Sequence, residues 1–196
     1  MTPPLSLLVI VGSVRDGRLG PAVADWFVGQ AGAHAGVEVE VVDLLDHPLP
    51  LVMPEPGREP SPGTAAVRDR LGAQLAAADA FVVVTPEYNH TFPAALKNAI
   101  DWFFDEWAAK PVGFVSYGGM SGGLRAVEHL RQVFAELHGL SVRESLSFHN
   151  AWEAFGAQGA PGVGEDAEAA AKVMLDRLVW WGEALRAARA ERPYER

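Results

Sequence analysis

The chain has 196 residues, 49% of them hydrophobic and 21% charged, so it is long enough to bury one continuous core without a stapling metal or disulfide. It contains no cysteine, which excludes disulfides, thiolate catalysis and iron–sulfur clusters and is typical of a reducing cytoplasm. The formal net charge of -9 disfavours nucleic acid as a partner.

Short apolar runs alternate with segments of helical period along the chain. The runs predict strands at residues 5–11, 37–42, 80–85, 112–116 and 142–148. The remaining segments predict helices at residues 21–33, 64–77, 93–107, 123–137 and 164–191. Even the first run is far shorter than the roughly 20 residues that cross a membrane, so we expect no membrane attachment.

Alternating strands and helices predict βαβ crossovers and a parallel sheet with helices on both faces. We predict an α/β three-layer sandwich with strand order 2-1-3-4-5, forming a single domain over residues 1–196. In this order the connections diverge between strands 1 and 3, and ligands bind beyond the carboxyl ends of the strands at that point. The loops at residues 12–20, 86–92 and 117–122 leave those ends and therefore form the candidate site.

The first loop places two arginines between a strand and a helix. It reads Gly-Ser-Val-Arg-Asp-Gly-Arg-Leu-Gly over residues 12–20. The start of a helix offers backbone N–H groups to an anion, Ser13 adds a hydroxyl donor, and Arg15 and Arg18 add guanidinium groups that suit phosphate. The loop matches neither the nucleotide-triphosphate P-loop nor the Gly-x-Gly-x-x-Gly fingerprint. We predict a phosphate site, with a solvated surface loop as the alternative.

The second loop combines a ring, an amide and two prolines. It reads Thr-Pro-Glu-Tyr-Asn-His-Thr-Phe-Pro over residues 85–93. The prolines stiffen the loop, the amide of Asn89 suits the polar edge of a planar heterocycle, and Tyr88 is placed to flank such a ring. A rigid structural turn is the alternative interpretation.

The third loop holds four glycines in eight residues. It reads Ser-Tyr-Gly-Gly-Met-Ser-Gly-Gly over residues 116–123. Glycine permits a flat ring to approach the main chain closely, although ordinary turn chemistry explains glycines equally well. Taken together at one edge of the sheet, the three loops predict a phosphate at one end of a ligand and a planar ring at the other.

Four segments resemble the NADPH-dependent FMN reductase family, which includes quinone, azo-dye and chromate reductases. They are Gly-Ser-Val-Arg at 12–15, Thr-Pro-Glu-Tyr-Asn-His at 85–90, Pro-Ala-Ala-Leu-Lys-Asn-Ala-Ile-Asp at 93–101 and Ser-Tyr-Gly-Gly at 116–119. The resemblance covers about residues 5–146. It implies a flavodoxin-like fold, bound FMN, NADPH as the electron donor, small-molecule electron acceptors and a homodimer or homotetramer.

The resemblance also implies roles for individual residues. The FMN phosphate would be held by Ser13, Arg15, Arg18, Leu19 and Gly20. The isoalloxazine ring would be held by Pro86, Glu87, Tyr88, Asn89, Ser116, Tyr117, Gly118 and Gly119. No catalytic side chain is expected, because the cofactor carries the chemistry.

We therefore predict a cytoplasmic oxidoreductase that passes electrons from NADPH through FMN to quinones or similar acceptors in a ping-pong mechanism. Two alternatives stay open: a flavodoxin-type electron carrier, which the acidic net charge suits, and a flavin-bearing redox sensor.

Three further features receive structural interpretations. The six histidines show no spacing typical of a metal site, and we assign His90 to a loop or interface role rather than to flavin contact. Glu87 is expected to form a structural hydrogen bond. The aromatic segment at residues 101–107 is expected to pack partly in the core and partly in a dimer interface.

Overall fold

One parallel sheet of five strands organises the protein, as seen in a computed structural model that describes residues 3–156 and 162–195. The strands are β1 (Leu5–Val11), β2 (Val37–Asp43), β3 (Ala80–Pro86), β4 (Pro111–Tyr117) and β5 (Leu140–Phe148). Their order is β2-β1-β3-β4-β5, and every neighbouring pair is parallel. The predicted fold class and strand order are confirmed, whereas the single domain over residues 1–196 stays a prediction.

Helices cover both faces of the sheet. They are α1 (Gly20–Gly32), α2 (Pro62–Ala77), α3 (Ala94–Asp101), α4 (Leu124–Glu136), α5 (Ala151–Phe155) and α6 (Glu165–Glu191). One core cluster joins the sheet to α1, α5 and α6, and a second joins it to α2, α3 and α4. The short helix α5 was not predicted. None of the helices in residues 3–156 and 162–195 is both long and apolar enough to cross a membrane.

Strand β1, which lies inside the sheet between β2 and β3, contributes to both core clusters. Its residues Leu7 and Val9 face one helical layer, while Leu8 and Ile10 face the other, and all four are buried. This burial on both sides explains why β1 reads as an unbroken apolar run instead of an alternating one. The sheet is therefore rigid beneath the loops that leave its carboxyl edge.

The predicted helix at residues 93–107 is wrong in its second half, because α3 ends at Asp101 and a separate 3-10 turn covers Asp105–Trp107. The indole Nε1 of Trp107 donates to the Ile100 carbonyl at 3.2 Å. In a continuing helix that carbonyl would accept from the Phe104 N–H, which instead donates to the Glu106 carboxylate at 3.0 Å. The break buries both Phe103 and Trp107, so the predicted core packing of this segment is confirmed.

Residues 157–161, in the connection between α5 and α6, lie outside the described residues.

A buried lysine fastens the end of α2 to the start of β4. Lys110 is 6% exposed, and its ammonium donates to the Leu75 carbonyl at 2.7 Å and the Ala76 carbonyl at 3.0 Å. Burial lowers the pKa of Lys110 from its ordinary 10.5 to about 8. Below about pH 8 the buried ammonium is charged, which lowers the free energy of unfolding. As the pH rises above 8, the folded protein releases this proton and the penalty disappears.

We predict that the free energy of unfolding of the wild type increases, relative to a Lys110→Met variant, by up to about 3 kcal/mol between pH 8 and 10.5. The sign follows because the unfolded chain binds the proton more tightly than the folded one in this range. Urea denaturation of both proteins at several pH values measures the difference. A difference that does not change with pH would contradict the assignment.

Candidate functional site

A cleft of about 340 Å³ lies where the predicted loops meet, beyond the carboxyl ends of the strands. It is lined by residues 15–19 after β1, residues 86–88 after β3 and residues 117–119 after β4, together with Ala151 and Trp152 after β5. The divergence of connections between β1 and β3 opens this space, as the strand order predicts.

The first loop is pinned by an ion pair with β2. The Arg18 guanidinium donates to both carboxylate oxygens of Asp43 at 2.7 and 2.6 Å, and also to the Ser13 carbonyl at 2.6 Å. Its hydrogen bonds with Asp43 raise the pKa of Arg18 above its ordinary value. Arg18 lines the cleft, but its charge is neutralised by Asp43. Its observed contacts therefore hold the loop in its conformation.

Arg15 is the contrasting residue of the same loop. It is exposed, it lines the cleft, and within the described residues it makes no hydrogen bond or ion pair. An unpaired guanidinium beside the start of a helix is suited to an anionic ligand. Of the two predicted phosphate-binding arginines, only Arg15 therefore has its charge available.

Ser13 lies beneath the loop rather than at its surface. It is fully buried, and its Oγ accepts a hydrogen bond from the Tyr117 hydroxyl at 3.1 Å. Burial raises the pKa of Tyr117 to about 12, so this phenol stays protonated. Gly20 packs so closely here that a Cβ would lie 2.4 Å from the Ser13 hydroxyl. Ser13 and Gly20 support the loop from below, and direct phosphate contact by either remains a prediction.

The Leu19 side chain is partly buried and is directed toward the hydrophobic core. It packs against the core cluster on the α1 face, and its carbonyl accepts from the Val23 N–H at 3.1 Å, which starts α1.

The second loop closes into a tight two-residue turn. Tyr88 and Thr91 exchange backbone hydrogen bonds of 2.7 and 3.2 Å, and the two residues between them have positive φ, 49° at Asn89 and 77° at His90. Positive φ at both central positions is the geometry of a type I′ turn. Tyr88 lines the cleft, whereas Asn89 and His90 stand exposed at the tip, so Asn89 is not brought into the cleft.

Glu87 is held by α4. Its carboxylate accepts from the Arg125 side chain at 2.8 Å and the Arg125 N–H at 3.2 Å. Burial opposes ionisation, but the hydrogen bonds from Arg125 and Ser121 outweigh it and keep the pKa of Glu87 below its ordinary value. The expected structural hydrogen bond of Glu87 is confirmed, so it borders the cleft as a paired carboxylate.

The third loop contributes backbone rather than side chains. The Tyr117 side chain is buried under the first loop, and the Ser116 hydroxyl donates to the carbonyls of Gly122 and Leu146. Ser116 is thus directed away from the cleft, where Tyr117, Gly118 and Gly119 remain. Gly123 has a φ of 86° and lies so close to Ser116 that a Cβ would clash at 2.7 Å. Glycine is required at that turn for both reasons.

Most predicted site residues come together at the cleft, but sequence reasoning missed several that shape it. Asp43, on β2, and Arg125, on α4, act through partners distant in sequence, and no local motif marks them. Ala151 and Trp152 follow β5, a connection that carried no recognised signal.

The parallel sheet, its strand order and a ligand-sized cleft at the switch point define a protein of the flavodoxin-like class. The model of the NADPH-dependent FMN reductase family matches residues 5–153, and the chain belongs to that family. The predicted family is confirmed, and its description as NADPH-dependent FMN reductase agrees with the predicted class of enzyme.

Individual relatives agree with this placement. The chain is 47% identical over 122 residues to an NAD(P)H-dependent FMN reductase of Schizosaccharomyces pombe, a match that spans 60% of each chain. It is 34% identical over 149 residues to a quinone reductase of Escherichia coli, spanning 74% of this chain and 77% of that one.

A solved structure supports the fold alone. The flavoenzyme NAD(P)H:(acceptor) oxidoreductase FerB of Paracoccus denitrificans superposes with a TM-score of 0.68 at 23% identity, covering 92% of this chain and 98% of that chain.

We predict that Arg18 and Asp43 are energetically coupled, because they form a largely buried bidentate pair. A double-mutant cycle with Arg18→Met and Asp43→Asn, measured by urea denaturation, is expected to give a coupling of about 1–3 kcal/mol. The exposed pair of Lys97 and Asp101 is the matched control, with about 0.3–0.5 kcal/mol expected for Lys97→Met and Asp101→Asn. Equal coupling in the two pairs would contradict the pinning role.

Proposed function

We propose that this protein passes electrons from NADPH to quinones or similar small acceptors, using FMN held in the cleft. The observation that carries the proposal is the division of the cleft into two chemically different ends. One end offers the unpaired charge of Arg15 beside the start of α1, and the other offers stiff main chain from two neighbouring loops.

The first end fits a phosphate. Helix α1 begins without a side-chain cap and has no acidic residue in its first turn, so the positive end of its dipole is not cancelled locally. Arg15 adds a full positive charge, whereas the charge of Arg18 is neutralised by Asp43. We infer that Arg15 and the backbone of the loop bind the FMN phosphate, and that Arg18 keeps the loop in the conformation that this requires.

The second end fits the polar edge of a flat ring. Gly119 lines the cleft, and its N–H donates no hydrogen bond within the described residues, which leaves it available to a ring oxygen or nitrogen. Neighbouring groups are fixed, because the Gly118 N–H donates to the Phe148 carbonyl at 3.1 Å and the Glu87 N–H to the Tyr117 carbonyl at 3.2 Å. We infer that this preorganised backbone orients the isoalloxazine.

Bound FMN supplies the two-electron chemistry of such a reaction, and the protein supplies position and charge. Glu87 is ionised beside Arg125, and the buried Tyr117 hydroxyl has a raised pKa and already donates to Ser13, so neither is suited to release a proton at neutral pH. NADPH delivers a hydride, and a quinone becomes a hydroquinone by gaining two electrons and two protons. We infer that the additional proton comes from water at the open cleft.

We further propose that donor and acceptor use the cleft in turn, which is a ping-pong mechanism. The loops at the carboxyl edge line one cleft, which donor and acceptor would share in this proposal. Binding in sequence lets each of them reach the same site. The cytoplasmic location stays an expectation from composition.

A homodimer is part of the proposal. Leu45, Leu51, Val52 and Met53 are 45–85% exposed and lie in the segment that follows β2. Exposed apolar surface of this kind is typical of protein–protein contact.

We predict that FMN-loaded protein, mixed anaerobically with NADPH in a stopped-flow instrument, loses its flavin absorbance rapidly and regains it when a quinone follows. Initial rates with both substrates varied should give parallel double-reciprocal lines. Bound flavin that stays oxidised would favour an electron carrier or sensor, and intersecting lines would contradict the ping-pong order.

We predict that Arg15→Ala weakens FMN binding by roughly 10- to 100-fold, the value of one charged hydrogen bond, and leaves riboflavin binding unchanged. Riboflavin lacks the phosphate, so it isolates that contact. Arg143→Ala, at an exposed arginine of β5, is the matched control and should leave both affinities unchanged. Fluorescence titration of the apoprotein measures each of these affinities. An equal loss of FMN and riboflavin affinity in Arg15→Ala would refute the phosphate assignment.

A further inference from the structure

Trp152 forms the outer wall of the cleft. Its side chain is 57% exposed, and its ring lies against the glycine loop, where a Cβ on Gly119 would be 3.5 Å from the indole. In the part of the chain that the structure describes, no other aromatic ring packs on it, unlike Trp26, which lies edge to face with Phe148 and Phe155. A large apolar ring is therefore left open at a concave site.

The main chain fixes Trp152 in this position. The Asn150 N–H donates to the Gly119 carbonyl and the Ala151 N–H to the Gly118 carbonyl, both at 3.0 Å. Ala151 is fully buried, and Phe155 at the other end of α5 is 5% exposed. The segment is thus bonded directly to the loop that presents the Gly119 N–H. Because the main chain that carries the ring is held in place, less freedom is lost when a ligand stacks on it.

The strand order separates Trp152 from the phosphate end. The charged loop follows β1 and the ring-binding loops follow β3 and β4, whereas Trp152 follows β5, at the opposite end of this series. A ligand whose phosphate sits beside Arg15 and whose ring sits over the middle loops is bordered by Trp152 at its far side. The exposed indole is then available to a second planar molecule.

We propose that Trp152 is a specificity-determining residue that stacks on planar aromatic acceptors such as quinones. This inference rests on the proposed function. It assigns to Trp152 the preference for flat acceptors over compact ones. Aromatic pairs contribute a modest, geometry-dependent preference beyond area burial, which corresponds to roughly a two- to ten-fold change in affinity. Phenylalanine keeps a planar ring at this position, whereas alanine removes it.

The test uses the oxidised, FMN-loaded protein, which cannot reduce a quinone without NADPH, so menadione binding is measured at equilibrium by fluorescence quenching. Trp152→Ala should weaken menadione binding two- to ten-fold, and Trp152→Phe should restore most of it. Trp180→Ala, at a 60% exposed tryptophan of α6, is the matched control and should bind like wild type. With NADPH present, Trp152→Ala should lower kcat/KM for menadione relative to that for ferricyanide, which is not planar.

Unchanged menadione affinity in Trp152→Ala would overturn the proposal, as would an equal weakening in Trp180→Ala. A parallel loss of FMN affinity in the apoprotein would also overturn it, because Trp152 would then belong to the flavin site. Failure of the wild type to bind FMN or oxidise NADPH would instead refute the proposed function, before any variant is compared.

Discussion

The placement of β1 between β2 and β3 is the constraint on which the site depends. Because the chain crosses to opposite sides of β1, the loops after β1 and β3 separate and leave a cleft at the carboxyl edge. Burial of β1 on both faces keeps that edge rigid. Every group assigned to ligand binding is carried by a connection that leaves this edge.

Charge is divided unequally within that cleft. Arg18 and Asp43 neutralise each other and tie the first loop to β2, so among the described residues that line the cleft Arg15 is the arginine whose charge is available. At the other end the Glu87 carboxylate is neutralised by Arg125, so its charge does not repel electron-rich ligands. An acidic protein with a net charge of -9 can thus present a local site for a phosphate.

The sequence predicted what depends on local pattern. Doubly buried strands read as continuous apolar runs, and turn chemistry marked the three loops at the edge of the sheet, so fold and cleft were both predictable. Contacts between segments that are distant in sequence could not be predicted in this way. The Arg18–Asp43 pair spans 25 positions, and the contact between Ser13 and Tyr117 spans 104. The same reason explains the position of Trp152, since its ring lies against Gly119 in the loop after β4.

The central claim is that FMN lies across this cleft with its phosphate beside α1. A crystal structure of the protein with FMN tests it most directly. We expect phosphate oxygens within hydrogen-bond distance of the Arg15 guanidinium and an isoalloxazine edge on the Gly119 N–H. FMN bound at another surface, or reversed so that its ring lies at the Arg15 end, would contradict the proposed binding mode.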